Sequence, residues 1–159
     1  MDVLRDLPID PADLLESFST AVSIAVSLPW ATFGEIKEKP TLIYENVYNT
    51  ANRILDELAF KTAKSFAEDG FYGLPIPASQ MTDEKNWYGA ISHKAVARMA
   101  GLGWQGKNLL LITRQYGSTV RLVTILTNAP LVVDGPVGSH AVVARNTQAR
   151  SGLRRRRAE

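Results

Sequence analysis

Between Ser92 and Thr113 the local patterns run helix, glycine-rich loop, strand, and that order constrains the fold more than any other feature of the chain. The loop contains GLGWQG (101–106), a literal match to the G-x-G-x-x-G pattern of dinucleotide-binding loops. Such a fingerprint needs a strand before its first glycine and a helix after its last, so that a helix N-terminus faces the pyrophosphate. Here HKAVARMA, ahead of the glycines, is helical in pattern, and NLLLIT, behind them, is a strand. No Asp or Glu stands about 20 residues further on to hold a ribose. A Rossmann-type reading is therefore excluded. Gly101 fits a helix C′ position with positive φ, and Gly103 and Gly106 let backbone turn tightly or approach something bulky. Amides of such a turn can form an anion nest, with Lys107 adding charge and Asn108 a donor. Trp104 serves either as a core plug or as a flat wall for a large planar ligand. On spacing alone, a purely structural turn is equally open.

The rest of the chain supplies the elements around this loop. Asp10-Pro11-Ala12-Asp13 opens a short helix with Leu14, Leu15 and Phe18 inward. Residues 20–29, TAVSIAVSLP, alternate Val22, Ile24, Val26 and Leu28 with small residues and read as a strand closed by Pro29. Residues 41–69 predict a long amphipathic helix. Val47, Ala51, Ile54, Leu58 and Phe66 mark its face, Leu55 and Ala59 widen it, and Gly70 ends it. FYGLPIPAS (71–79) predicts a short strand whose prolines stop central-sheet pairing beyond Leu74. Residues 80–91 are loop-like, and Ser92 caps the helix that ends at Gly101. Leu109–Thr113 and Thr119–Thr127 read as strands of a hairpin through RQYGS. The fold class expected is α+β, one layer of helices on a mainly antiparallel sheet.

Composition narrows the chemistry. With 45% hydrophobic and 21% charged residues, the 159-residue chain has the make-up of a soluble globular domain. It is long enough to bury roughly two thirds of its unfolded surface. There is no cysteine, so disulfides, a thiolate nucleophile and thiolate-held zinc or iron–sulfur centres are excluded for this chain alone. His93 and His140 are the only histidines. No apolar run reaches the ~18 residues of a membrane span, and the acidic start does not resemble a signal peptide. A cytoplasmic protein without membrane contact is expected. Charge is uneven: Arg145, Arg150 and Arg154–Arg157 against Glu159 give residues 144–159 a net +5, while the remainder carries −3. The chain divides into a folded domain, 1–133, and a basic tail, 134–159, expected to be disordered. That tail is either plain solvated charge or an arginine-rich RNA contact.

The stretch SHKAVARMAGLGWQGKNLLLITRQYGSTVRLVTILTNAPL (92–131) resembles the cobalamin-binding N-terminal domain of epoxyqueuosine reductases. It resembles still more closely their relatives that carry a double 4Fe-4S cluster domain. The blocks AGLGWQGKN, YGS (116–118) and LTNAPL carry the likeness, with AVSIAVSLP, YENVYNTANRILDELA and GLPIPASQ upstream. The resemblance implies a fold related to nitroreductases, with a base-off corrinoid held between this domain and a ferredoxin domain. It places Gly101, Gly103, Trp104, Gly106, Lys107 and Asn108 at the corrinoid, with Tyr116, Gly117 and Ser118 near it. Pro77, Ala78, Ser79 and Gln80 follow as weaker candidates. A modified tRNA base is the family's substrate, and flavin binding is the alternative that the nitroreductase relationship suggests.

Two departures stand out. The family's proton-donor aspartate falls on Trp87 here, and Asp83, the nearest aspartate, lies four residues too early. His93 is either a substitute donor, since imidazole titrates near neutrality, or a helix-start capping or surface group. The family's cluster cysteines are also missing. The sequence therefore reads as the corrinoid half alone, a fragment produced by frameshift, gene decay or minimisation, with a frameshifted remnant as one explanation of 134–159. Turnover then needs a separate ferredoxin-like donor or an external reductant. The face left by the missing domain invites self-association or a non-catalytic role as a binding module.

Overall fold

The structure, a computed structural model, describes residues 18–34, 36, 39–79 and 91–137. The helix expected from Asp10, residues 80–90 of the expected loop with Gln80 and Asp83, and the arginine tail lie outside these residues. A three-stranded antiparallel sheet forms the centre, in the order β1 (Thr20–Ser27), β5 (Val120–Thr127), β2 (Gly73–Ile76). β1 pairs with β5 along its whole length, from Thr20 opposite Thr127 to Ser27 opposite Val120. β2 pairs with the other edge of β5, from Gly73 opposite Thr127 to Ile76 opposite Thr124.

Helix α1 (Leu42–Glu68) lies on one face of this sheet and the short helix α2 (His93–Met99) on the other. Leu55, Ala59 and Ala63 of α1 pack against Val123 and Ile125, with Val22, Ile24, Val26 and Phe66 around them. On the opposite face Ala97 of α2 meets Leu122 and Leu111, flanked by Ala25, Leu102 and Val120. Two covered faces explain why residues 122–127 of β5 are buried without alternation. The single helical layer expected from sequence is thus corrected to helices on both sides. The α+β class with a mainly antiparallel sheet is as expected.

Local chemistry sets the helix limits. Thr41 caps α1 by accepting from Tyr44 N at 3.2 Å. At the other end Gly70 takes φ +84°, and Phe71 N donates to Phe66 O at 2.9 Å, closing a Schellman turn. Helix α2 repeats the device: Ser92 caps Ala95 N, Gly101 takes φ +75°, and Leu102 N reaches Ala97 O at 3.0 Å. Among the described residues no helix is long and apolar enough to cross a membrane.

Two sequence expectations are overturned here. β2 continues through Pro75 to Ile76, because it is an edge strand and the missing proline N–H faces away from the ladder. Residues 109–113 and 119–127 do not form a hairpin. Leu111–Ile112 (β4) pairs instead with Trp104–Gln105 (β3) in a small second sheet. Thr113 and Gly117 close the intervening turn by exchanging both backbone hydrogen bonds, at 2.7 and 3.0 Å.

Candidate functional site

The glycine loop is shaped by its own chain. A Cβ on Gly103 would sit 2.2 Å from the carbonyl oxygen of Ile112, so β3 can approach β4 only with glycine there. On Gly106 it would meet Ile112 Cδ1 at 2.6 Å, and on Gly101 the carbonyl oxygen of Gly135 at 2.7 Å. The bulky object these glycines admit is therefore the following strand and the 134–137 segment. Gly106 N donates to Leu110 O at 2.9 Å, and Asn108 Oδ1 accepts from Leu110 N at 3.3 Å, which tightens the turn at Leu109 (φ +61°).

The side chains around that turn border an open cleft of about 470 Å³. Trp104, Gln105, Gly106, Lys107 and Leu109 come from the loop, Arg98 from α2, and Pro136 and Val137 from the last described segment. Among the described residues its two ionisable lining groups are both cations, and its one aromatic wall is the Trp104 indole. Of the residues the sequence placed at a ligand, Trp104, Gly106 and Lys107 line this cleft. Gly101, Gly103 and Asn108 build the loop beneath it. Tyr116, Gly117 and Ser118 lie on the next turn, where Tyr116 N donates to Thr113 Oγ1 at 3.1 Å and Gly117 takes φ +58°. Arg98, Leu109, Pro136 and Val137 were not legible as site residues, since no local pattern links Arg98 in a helix's last turn to Pro136 and Val137 in a segment far along the chain.

A second polar assembly surrounds the 77–79 turn. His93, first residue of α2, points inward: its Nε2–H donates to Pro77 O at 3.0 Å, and its Nδ1 pairs with Thr124 Oγ1 at 2.8 Å. The carbonyl can only accept, so Nε2 carries the proton, and in the neutral ring Nδ1 accepts from the threonine hydroxyl. Burial pushes the imidazole below its ordinary value of 6.5, against the opposing pull of the Pro77 carbonyl; Arg121 lowers it further and Asp56 raises it. From the other side of the sheet Asp56 Oδ1 accepts from Ala78 N at 2.8 Å. Arg121 donates from Nε to Asn52 Oδ1 at 2.9 Å and from one terminal nitrogen to Ala78 O at 3.4 Å. Its guanidinium lies 4.1 Å above the Tyr48 ring centre. The surface or capping reading of His93 is corrected to an inward clasp; the cap belongs to Ser92. Asn52, Asp56, Arg121 and Thr124 were missed by sequence. Their one signal was polarity at positions whose period points inward.

Among the described residues no three His, Asp or Glu side chains converge as a metal-binding group. No protein-family model matches the chain. Curated relatives do. An epoxyqueuosine reductase of Lactococcus garvieae is 31% identical across 83% of this chain and 37% of its own length. One of Listeria monocytogenes is 54% identical over 48 residues, 30% of this chain and 13% of that protein. Among solved structures, an epoxyqueuosine reductase from Streptococcus thermophilus matches with TM-score 0.52 and 27% identity, over 80% of this chain and 34% of that one. An epoxyqueuosine reductase crystallised with an epoxyqueuosine-modified tRNA stem loop matches with TM-score 0.51 and 25% identity, over 80% and 33%.

Fold and sequence together thus make this chain similar to one part of these epoxyqueuosine reductases. The chain is epoxyqueuosine reductase-like. It spans about a third of the length of the solved relatives and 37% of the Lactococcus garvieae protein.

Proposed function

We propose that this chain is the corrinoid-binding domain of an iron–sulfur-dependent reductase that acts on a modified tRNA, in a cytoplasmic setting. One observation carries the reading: the cleft at the end of α2 offers an indole wall and two cations, Arg98 and Lys107, with no acid among its described lining groups. These residues suit a broad flat ligand with a polar edge and a phosphate. Trp104 supplies the apolar face, and Gln105, Lys107 and Arg98 supply donors to amide carbonyls and phosphate oxygens. An open cleft suits a group whose second face is covered by another domain. Gly101, Gly103, Gly106 and Asn108 hold the loop in the shape that presents these side chains. Tyr116, Gly117 and Ser118 are further contacts for a ligand that reaches the next turn.

When bound and reduced, a corrinoid supplies a low-potential metal centre that can deliver electrons to the substrate. This chain's residues bind and orient it. Clusters of the 4Fe-4S kind need thiolates, which these 159 residues lack, so electrons come from a ferredoxin-like unit outside them. His93, engaged at both ring nitrogens, would have to give up a bond to deliver a proton, and Asp83 is the other candidate donor. A modified tRNA is the ligand in one solved relative, which supports tRNA as the substrate class.

The test is a titration with hydroxocobalamin followed by visible absorption and melting temperature. A shifted spectrum with a raised melting temperature is expected, and Trp104→Ala weakens binding by about tenfold through loss of the stacking face. Neither signal moving at excess ligand overturns the proposal, and a yellow purified protein identifies a flavin instead.

A second reading, a non-catalytic module that docks to another protein or to itself, is favoured by exposed apolar side chains. Trp30, Leu42 and Phe60 are 71%, 77% and 64% exposed. Light scattering that finds a strict monomer without a dye-binding apolar patch rejects it.

A further inference from the structure

We infer that the outer edge of β1 is a self-association surface, to which a second copy of this chain adds its own β1, antiparallel and centred on Ile24. The inference rests neither on the corrinoid proposal nor on the apolar side chains of the second reading.

The sheet runs β1–β5–β2, so it has two edges. One hydrogen bond fixes which groups face outward on each. Leu28 N donates to Thr119 O at 2.8 Å, in the same register that sets Thr20 opposite Thr127. Hydrogen-bonded pairs alternate along an antiparallel ladder, so Val22, Ile24 and Val26 direct their backbone groups at β5. Ala21, Ser23, Ala25 and Ser27 turn theirs away from it. By the same alternation Leu74 and Ile76 of β2 bond to β5, while Gly73 and Pro75 face outward.

The two edges are not equivalent. Pro75 has no N–H, and a proline in that place blocks further pairing. β1 carries no such block: TAVSIAVS is eight residues long, holds no proline and no charge, and pairs with β5 without a bulge. Helices cover both faces of the sheet, yet all eight residues of β1 stay partly exposed. Among the described residues no strand pairs with its outer side. An edge so long, regular and uncharged is a template for another strand.

The residues of β1 select its own copy as that strand. From Ala21 to Ser27 they run small, Val, small, Ile, small, Val, small, the same in both directions. A two-fold axis needs a surface complementary to itself, and this pattern meets the need. With the pair centred on Ile24, Ala21 stands opposite Ser27 and Ser23 opposite Ala25, so every outward residue meets another and exchanges backbone hydrogen bonds with it. Val22, Ile24 and Val26, which pack toward α1, then face Val26, Ile24 and Val22 of the second copy as β-branched cross-strand pairs. A shift of two residues sets Ser27 opposite Ser19, outside the strand, or Ala21 opposite Pro29, which has no N–H.

Two measurements on the full chain test this. The chain contains no cysteine, so one introduced thiol reports contact between copies without background. The two Ile24 residues would face each other as a non-hydrogen-bonded pair with Cα atoms about 4.5 Å apart, within disulfide reach. The two Val22 residues would lie about 14 Å apart along the strands, beyond it. Under mild oxidation Ile24→Cys should therefore form a cross-linked dimer about tenfold faster than Val22→Cys, or more. Both side chains pack toward α1, so the two variants perturb the same core. Equal rates, or no cross-link in either, overturn the inference. The second measurement uses the unaltered chain: amide hydrogen exchange, read residue by residue by NMR as protein concentration rises. Exchange should slow at Ala21, Ser23, Ala25 and Ser27, and stay constant at Val22, Ile24 and Val26, whose amides already bond to β5. Concentration-independent exchange at the four outward amides overturns the edge as an interface. If light scattering nevertheless finds a dimer, the apolar patch of the second reading stands and this inference alone falls.

Discussion

Gly103 and Gly34 differ by one contact that decides what each tolerates. A methyl group on Gly103 would overlap the Ile112 carbonyl oxygen at 2.2 Å, and backbone on a paired strand cannot move aside cheaply. Gly103→Ala should cost about 3 kcal/mol or more in chemical denaturation. Gly34→Ala, with φ −64° and its new methyl 3.5 Å from Ala31 O, should stay within about 0.5 kcal/mol of wild type. His93 supports a further prediction. Its folded-state pKa lies below the ordinary 6.5, so the unfolded chain binds the proton more readily. Stability is then full above pH 6.5, falls as the pH drops through that value, and levels off once the folded-state value is passed. Denaturation midpoints measured across this range should show the loss, and His93→Gln should flatten it. The glycine spacing was legible in the sequence; its purpose was not, because the atoms that crowd Gly103 belong to a strand nine residues later.

Helix α1 shows how periodicity can find an element and misjudge its face. Its limits, 42–68 against an expected 41–69, were set by Thr41 and Gly70, local signals that any sequence displays. The expected stripe centred on Ile54 and Leu58, yet these are 43% and 39% exposed, while Leu55 and Ala59 are fully buried. The apolar arc of the helix is wider than the sheet beneath it, and small residues let the backbone approach more closely than large ones. Gly73 records that closeness, since a Cβ there would lie 2.7 Å from Ala63 O. Leu55→Ala should therefore cost roughly 2–5 kcal/mol, whereas Ile54→Ala and Leu58→Ala should each cost about 1 kcal/mol, read from urea midpoints at constant slope. The 119–127 strand was likewise legible as a strand, but its partners were not. Adjacency in sequence favours a hairpin with 109–113; instead the long apolar run of β5 takes the centre of the sheet, where both of its faces are covered.

At the scale of the whole molecule, charge and fold are separable. Residues 144–159 carry +5 and the rest −3, so polyanion binding by this chain should follow the tail. Deleting 144–159 should abolish retention on a tRNA column at moderate salt, and the salt slope should fall by about 1 for every phosphate that the tail neutralises. A tail-less protein that still holds tRNA would locate the binding surface in the domain, where Arg98 and Lys107 are the cations of the cleft. The sequence by itself determined what depends on neighbours along the chain: helix starts and stops, the strand periods, the absence of thiol chemistry, and an order of elements around GLGWQG that excludes a dinucleotide loop. It also carried the likeness to epoxyqueuosine reductases. Only the tertiary structure decided which strands pair, that helices cover both faces of the sheet, and that His93, Asp56 and Arg121 meet on the same turn. Those outcomes depend on contacts between residues dozens of positions apart, whose energies come from shared burial and directed hydrogen bonds and leave no periodic mark on the chain that makes them.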